Sequence, residues 1–115
     1  MVQRTVLIIE DDEVTSAMLE TIVSEAGFQA LIALDGVSAL ELYQRHLPEV
    51  VLLDINLPQL NGYSFASLVR NFSGHRPRII VVTSNAADYE QHLKELADDC
   101  LVKPIKRQAL LSLLA

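Results

Sequence analysis

Four consecutive aliphatic residues, Val50-Val51-Leu52-Leu53, run without interruption into a single carboxylate, Asp54, and the chain turns shortly afterwards at Pro58. A short apolar run with no polar alternation, bounded by a turn signal, fits a strand covered on both faces, as in a parallel sheet between two layers of helices. It also puts an acid at the carboxyl end of that strand, where open α/β sheets bind their ligands. Asp54 has a plainer reading as a loop-starting residue. Only the remaining strand ends can decide between the two.

Similar segments recur along the chain. Thr5 to Ile9 is β-branched and aliphatic and ends in four acids, Glu10-Asp11-Asp12-Glu13. Phe28 to Ile32 reads as a second strand, Arg78 to Val82 as a fourth leading into Thr83-Ser84-Asn85, and Cys100 to Val102 as a fifth stopped by Lys103-Pro104. Helical spacing fills the intervals. Val14, Met18, Ile22 and Ala26 precede a stop at Gly27; Val37, Leu40, Tyr43 and Leu47 follow Asp35-Gly36 and close at Pro48. After Asn61-Gly62 come Phe65, Leu68, Val69 and Phe72, then a loop over residues 73–77. Tyr89, Leu93 and Leu96 trace a fourth helix and Ile105 to Leu114 a fifth. Strict alternation of five strands with five helices implies a doubly wound parallel sheet with right-handed crossovers. The length of 115 residues suits one domain over residues 1–115. A start at Met1 favours an amino-terminal position in any longer protein.

Composition narrows the function classes. Half of the residues are hydrophobic but only 5% are aromatic, so the core is expected to be aliphatic. A net charge of -6, with nine scattered basic residues, argues against direct nucleic-acid binding, which needs Lys and Arg to displace counterions. No apolar run approaches the roughly 20 residues that span a bilayer, and the first apolar segment runs straight into acids. The lone Cys100 forms no internal disulfide and offers no zinc framework. A reducing cytoplasm is the expected location.

In a parallel sheet all carboxyl ends share one edge. Glu10, Asp11 and Asp12 after the first strand, Asp54 on the third, Thr83 on the fourth and Lys103 after the fifth therefore meet there. Each alone has an ordinary explanation, such as acids favouring a helix amino terminus. Four coincidences on one edge point to chemistry. Clustered carboxylates repel unless a cation compensates, and hard oxygen ligands suit magnesium or manganese. A lysine answers a phosphate as a point charge, and a threonine hydroxyl can donate to a phosphoryl oxygen. Asp54 stands alone on the central strand whereas Glu10 and Asp11 are paired, as ligands would be. Attack of a carboxylate on phosphorus, giving an aspartyl phosphate, is a recognised form of covalent catalysis.

The segments Leu7-Ile8-Ile9-Glu10-Asp11-Asp12, Leu52-Leu53-Asp54-Ile55-Asn56-Leu57-Pro58 with Asn61-Gly62, Val81-Val82-Thr83-Ser84 and Leu101-Val102-Lys103-Pro104 together resemble the response-regulator receiver domains of bacterial two-component signalling, over nearly the whole chain. The resemblance implies a flavodoxin-like sheet in the order 2-1-3-4-5. It implies Asp54 as phosphoacceptor, Thr83 as switch hydroxyl and Lys103 as phosphate-binding lysine. The implied metal ligands are Asp11, Glu10 through water, Asp54 and the backbone carbonyl of Asn56, with Asp12 ranked lower. A Lys103-Pro104 cis peptide is also implied, as is phosphoryl lifetime tuned by Asn56 and Asn85. Donors would be a histidine kinase or a phosphotransfer protein. Output partner and homodimerisation stay open, and the chain is autocatalytic rather than an enzyme acting on a free substrate.

One position departs from the family. Receivers carry Tyr or Phe three residues before the lysine, and here that position is Cys100. A thiol cannot report the switch as a ring does, so a muted or differently routed conformational change is expected. Three rival readings fare worse. A haloacid-dehalogenase-type enzyme needs an acid two residues after the nucleophile, where this chain has Asn56. A flavodoxin-type electron carrier would not place three acids against a flavin phosphate. An unphosphorylated receiver-like interaction module should have lost part of the site, which is intact here. His46, His75 and His92 read as surface residues and Cys100 as a core residue.

Overall fold

A computed structural model of the chain describes residues 4–57, 61–72 and 74–115; the turn expected at Pro58 and the side chain of His92 lie outside the described parts. Strands β1 (Thr5–Ile9), β2 (Gln29–Ala33), β3 (Val50–Asp54), β4 (Arg78–Thr83) and β5 (Asp99–Val102) alternate with helices α1 (Glu13–Glu25), α2 (Gly36–His46), α3 (Gly62–Arg70), α4 (Ala86–Asp88) and α5 (Arg107–Leu114). The strands form one parallel sheet in the order β2-β1-β3-β4-β5. All five residues of β3 are buried, which is why its sequence shows no alternation. Val51 and Leu53 enter the core beneath α2 and α3, whereas Val50 and Leu52 enter the core beneath α1 and α5. Both cores are almost wholly aliphatic; among the described residues Tyr43, Phe65 and Phe28 are their buried rings.

Strand limits differ from the sequence reading by a residue at most, but helix faces differ more. In α1 the buried residues are Ser16, Leu19, Ile22 and Val23, while Val14 and Met18 are exposed. Residues four apart advance 400° around a helix and drift by 40° each time, so a row of such steps leaves the face it started on. Val37 in α2 and Leu68 in α3 are exposed as well, with Ala39 and Ala66 buried instead. The fourth helix departs further. Only Ala86–Asp88 is α-helical, and Tyr89–Leu93 continues as a wider π turn that buries Leu93. His75 is half-buried: its Nε2 lies 2.7 Å from the Pro48 carbonyl and its ring tilts against Tyr43, contrary to a surface reading.

Two arginines tie the amino-terminal edge of the sheet. Arg70, at the end of α3, donates to the Leu96 carbonyl (2.8 Å), the Pro77 carbonyl (2.6 Å) and Asp98 (2.6 Å), whose Oδ2 also accepts from the Ile79 amide. Arg78 pairs with Asp99 and donates to the Leu113 carbonyl. Neither role shows in sequence periodicity.

At the opposite edge, α3 starts against the segment that follows β3. A Cβ on Gly62 would lie 2.7 Å from Ile55 Cγ2 and 3.2 Å from Ile55 Cβ. Because Ile55 branches at Cβ, it cannot swing aside. Gly62→Ala is expected to cost about 1–3 kcal/mol by overpacking, read as a lower denaturant midpoint with unchanged slope. The same substitution in an Ile55→Ala background is expected to cost less, since Cγ2 is gone; equal costs in both backgrounds would refute the contact.

Candidate functional site

The register of the sheet builds the site. Ile9 pairs with Leu53 and Asp54 with Val82, so Glu10 and Thr83, at the ends of β1 and β4, flank Asp54. Thr83 pairs with Val102 and its carbonyl accepts from the Lys103 amide (2.8 Å), which starts Lys103 beside the same edge. The Lys103-Pro104 peptide bond is cis, as the resemblance implied. The site therefore lies where the order reverses between β1 and β3, the place at which doubly wound sheets open a crevice.

Asp54 is 3% exposed, and both of its oxygens are used. Oδ2 accepts from Lys103 Nζ at 2.9 Å and Oδ1 from the Asn56 amide at 2.8 Å. Glu10, only 1% exposed, accepts from the Asp12 amide through Oε2 (3.3 Å). Its Oε1 stands 3.4 Å from Lys103 Nζ, within ion-pair range, yet makes no hydrogen bond. Carboxylate oxygens of Glu10, Asp11 and Asp54 come within 4.8 Å of one another. One ammonium thus faces two buried carboxylates, with a third, exposed, alongside.

Burial pushes the Glu10 carboxyl up to about 7, helped by its contact with Asp54, while the Asp12 amide and Lys103 pull it down. Burial alone would lower the Lys103 ammonium, but Asp54 and Glu10 outweigh it and hold the group above its ordinary value. A buried carboxylate oxygen without a hydrogen-bond partner, beside two further carboxylates, is a donor set that fits a small hard cation.

The other residues fall into place differently. Asp12 caps α1, accepting from the Thr15 amide (2.8 Å) and hydroxyl (2.5 Å), and these bonds hold its carboxyl below the usual range. It belongs to the helix end rather than to the cluster. Thr83 is fully buried, and its hydroxyl is committed to Asn85, donating to the carbonyl and accepting from the amide, both at 3.1 Å. The Asn56 side chain turns toward Ser84, with Oδ1 accepting from its amide (3.0 Å) and hydroxyl (3.3 Å). Ser84 is the residue that sequence reasoning passed over. A small polar residue after a strand carries no periodic signal, and only the fold shows that it holds Asn56. Cys100 is half-buried against the core under α3, and burial raises its thiol, which disfavours the reactive thiolate.

Fold and site together define a class, and comparison with known proteins agrees. Residues 6–115 match the response regulator receiver domain family, to which the chain belongs. Among curated proteins it is similar to the "Regulator of RpoS" of Escherichia coli (strain K12), with 34% identity over 107 residues, 92% of this chain but 32% of that protein. The chain thus spans about a third of that relative's length. A CheY-like receiver domain from Methylobacillus flagellatus superposes with a TM-score of 0.90 at 25% identity, covering 98% of this chain and 97% of that one. The receiver domain of a sensor histidine kinase from Pseudomonas aeruginosa PAO1, solved with a magnesium ion coordinated in the active site cleft, superposes with a TM-score of 0.86 at 32% identity, covering 98% and 95%.

The raised Glu10 carboxyl carries a signature in stability. Glu10 binds its proton more tightly folded than unfolded, so its contribution is fully present below about 4.5 and is lost as pH rises through about 7. In metal-free buffer the loss is expected to be on the order of 3 kcal/mol. Glu10→Gln, uncharged throughout, is expected to lack this component when unfolding is compared across the same range. Parallel pH profiles for the two proteins would contradict it.

Proposed function

We propose that this receiver takes a phosphoryl group from a phosphohistidine onto Asp54, in a reaction that depends on magnesium or manganese, and that the phosphorylated form alters a contact with a protein partner. The observation that carries the reading is Asp54 itself: a buried carboxylate at the end of the central strand, hydrogen-bonded by Lys103 at 2.9 Å and adjoining two further acids. An oxygen of Asp54 attacks phosphorus, the bond from phosphorus to the donor imidazole nitrogen breaks, and that nitrogen keeps the electron pair. The product is an acyl phosphate.

Lys103 follows the charge onto the transferred group, since its ammonium already pairs with Asp54 and, among the described residues, otherwise only with Glu10. Thr83 supplies a hydroxyl donor to a phosphoryl oxygen once it leaves Asn85. Glu10, Asp11, Asp54 and the Asn56 carbonyl would hold the cation, which supplies neutralisation of charge on the phosphoryl oxygens. The magnesium in the Pseudomonas receiver supports that assignment. Asn56, held by Ser84, and Asn85 govern access to the acyl phosphate and so its hydrolysis. The donor is a histidine kinase or phosphotransfer protein, and a cytoplasmic setting suits both it and the single free thiol. No helix among the described residues is long and apolar enough to cross a membrane.

Incubation with acetyl phosphate and magnesium is expected to add one phosphoryl mass, absent in Asp54→Asn and absent when the cation is chelated. Lys103→Met is expected to slow the addition on the order of 100-fold, as for loss of one preorganised charge-stabilising donor. Undiminished labelling of Asp54→Asn would move the acceptor elsewhere.

A further inference from the structure

Helix α3 and the segment after β4 share one core, through Phe65, Val69 and Leu93, yet their outer sides do not close on one another. Two open recesses lie between them. One, of about 220 Å³, is lined by Ile55, Gly62 and Leu93 among others; the second, of about 380 Å³, by Glu90, Lys94 and Glu95. Tyr63 lines both. The core-facing residues of α3 are Phe65, Ala66 and Val69, which leaves Tyr63 on the outer side, 54% exposed. Across from it, residues 86–93 hold neither glycine nor proline but widen into a π turn over Tyr89–Leu93. Single turns of that kind are rare and recur at functional sites.

The walls of this groove select by charge. Asp88, Glu90 and Glu95 line it against one base, Lys94, which stands 3.3 Å from Glu90. That pair uses the positive charge, while Asp88 and Glu95 make no ion pair among the described residues. The Tyr63 ring adds a negative face, which attracts a guanidinium or ammonium within about 6 Å of its centre. Ile55 and Leu93 make the smaller recess apolar. Drug-sized ligands take cavities of roughly 300–1,000 Å³; the smaller recess falls below that range and the larger near its floor. Two small recesses in line suit side chains of a peptide segment better than a compact molecule. A second copy of the chain would bring the same net charge of -6, and like charges oppose such a contact.

We propose that the groove between α3 and the segment after β4 docks an extended segment of a partner protein, one that carries an apolar side chain with arginines at the alternate positions beside it. Alternate side chains of an extended chain lie about 7 Å apart on one side. The apolar one fills the recess at Ile55 and Leu93, and the arginines stack on Tyr63 and pair with the acids. Arginine suits the place better than lysine, since its flat guanidinium both stacks on a ring and pairs with a carboxylate. Ile55 follows Asp54 in the chain, so a docked segment lies beside the acidic site. Docking itself needs no phosphoryl group, and it stands whether or not Asp54 accepts one.

The probe is a capped five-residue peptide with leucine first, arginine third and fifth, and serine between them, titrated into the 15N-labelled 115-residue protein. Saturating shifts of the Tyr63, Leu93 and Glu95 amides are expected, weakened by added salt. Tyr63→Leu, which keeps apolar bulk but loses the ring, is expected to lower the affinity about two- to fivefold. Glu95→Gln is expected to lower it by about the same factor; Glu95 is exposed, so this variant carries the test should Tyr63→Leu fold poorly. A counterpart peptide with citrulline for arginine, alike in shape but uncharged, is expected to leave these amides in place. Shifts centred on Glu10 and Asp11, an equal response to the citrulline peptide, affinities unchanged in both variants, or no shift at millimolar peptide would each overturn the proposal. So would shifts of these amides with protein concentration alone, the mark of a second copy in the groove.

Discussion

One ammonium set between two buried carboxylates is the interaction on which the rest of this fold's functional edge depends. Taking a carboxylate out of water costs on the order of several kcal/mol, and Lys103 hydrogen-bonds Asp54 while Glu10 Oε1 is left without a hydrogen bond. The deficit is tolerable because the sheet leaves no choice. Register places Glu10 beside Asp54, and aliphatic layers on both faces fix each strand against sliding. The site is therefore short of positive charge by construction. A small hard cation would answer that shortage.

Much of this is legible in the sequence. Runs such as Val50 to Leu53 declare a doubly covered strand because burial on both faces erases alternation, and the turn residues between runs mark the crossovers. Once the strands are known to be parallel, chain order alone brings Glu10, Asp11, Asp54 and Lys103 to one edge. What could not be read was everything decided sideways. The exposed Val14 and Met18 show that i,i+4 hydrophobic rows do not fix which face of a helix is buried. The commitments of Thr83 to Asn85 and of Asn56 to Ser84 are choices among several nearby polar groups, which spacing cannot rank. The broken fourth helix lay further out of reach, since its sequence is that of a continuous one.

The loops after β3 and β4 behave as one unit through these bonds. Asn56 links the loop that follows Asp54 to Ser84, and the neighbouring Thr83 links it to the start of α4. Asp54 is thus joined to the start of α4 by hydrogen bonds through Asn56 and Ser84 and by those of the adjoining Thr83 to Asn85. That path makes no use of residue 100. Cys100, where the chain departs from the family, lies outside it.

Arg70 and Arg78 give this arrangement a mechanical polarity. Between them they tie the starts of β4 and β5 to the ends of α3 and α5 and to the turn before β5. Those ends of the strands are tied by charged side chains, whereas the far ends carry the site and meet loops held by neutral hydrogen bonds such as those of Asn56 with Ser84 and Thr83 with Asn85. A disturbance at Asp54 therefore meets a stiff anchor in one direction and compliant segments in the other. The molecule is built as a cantilever: tied by arginines along one rim, with its cluster of acids and lysine on the other.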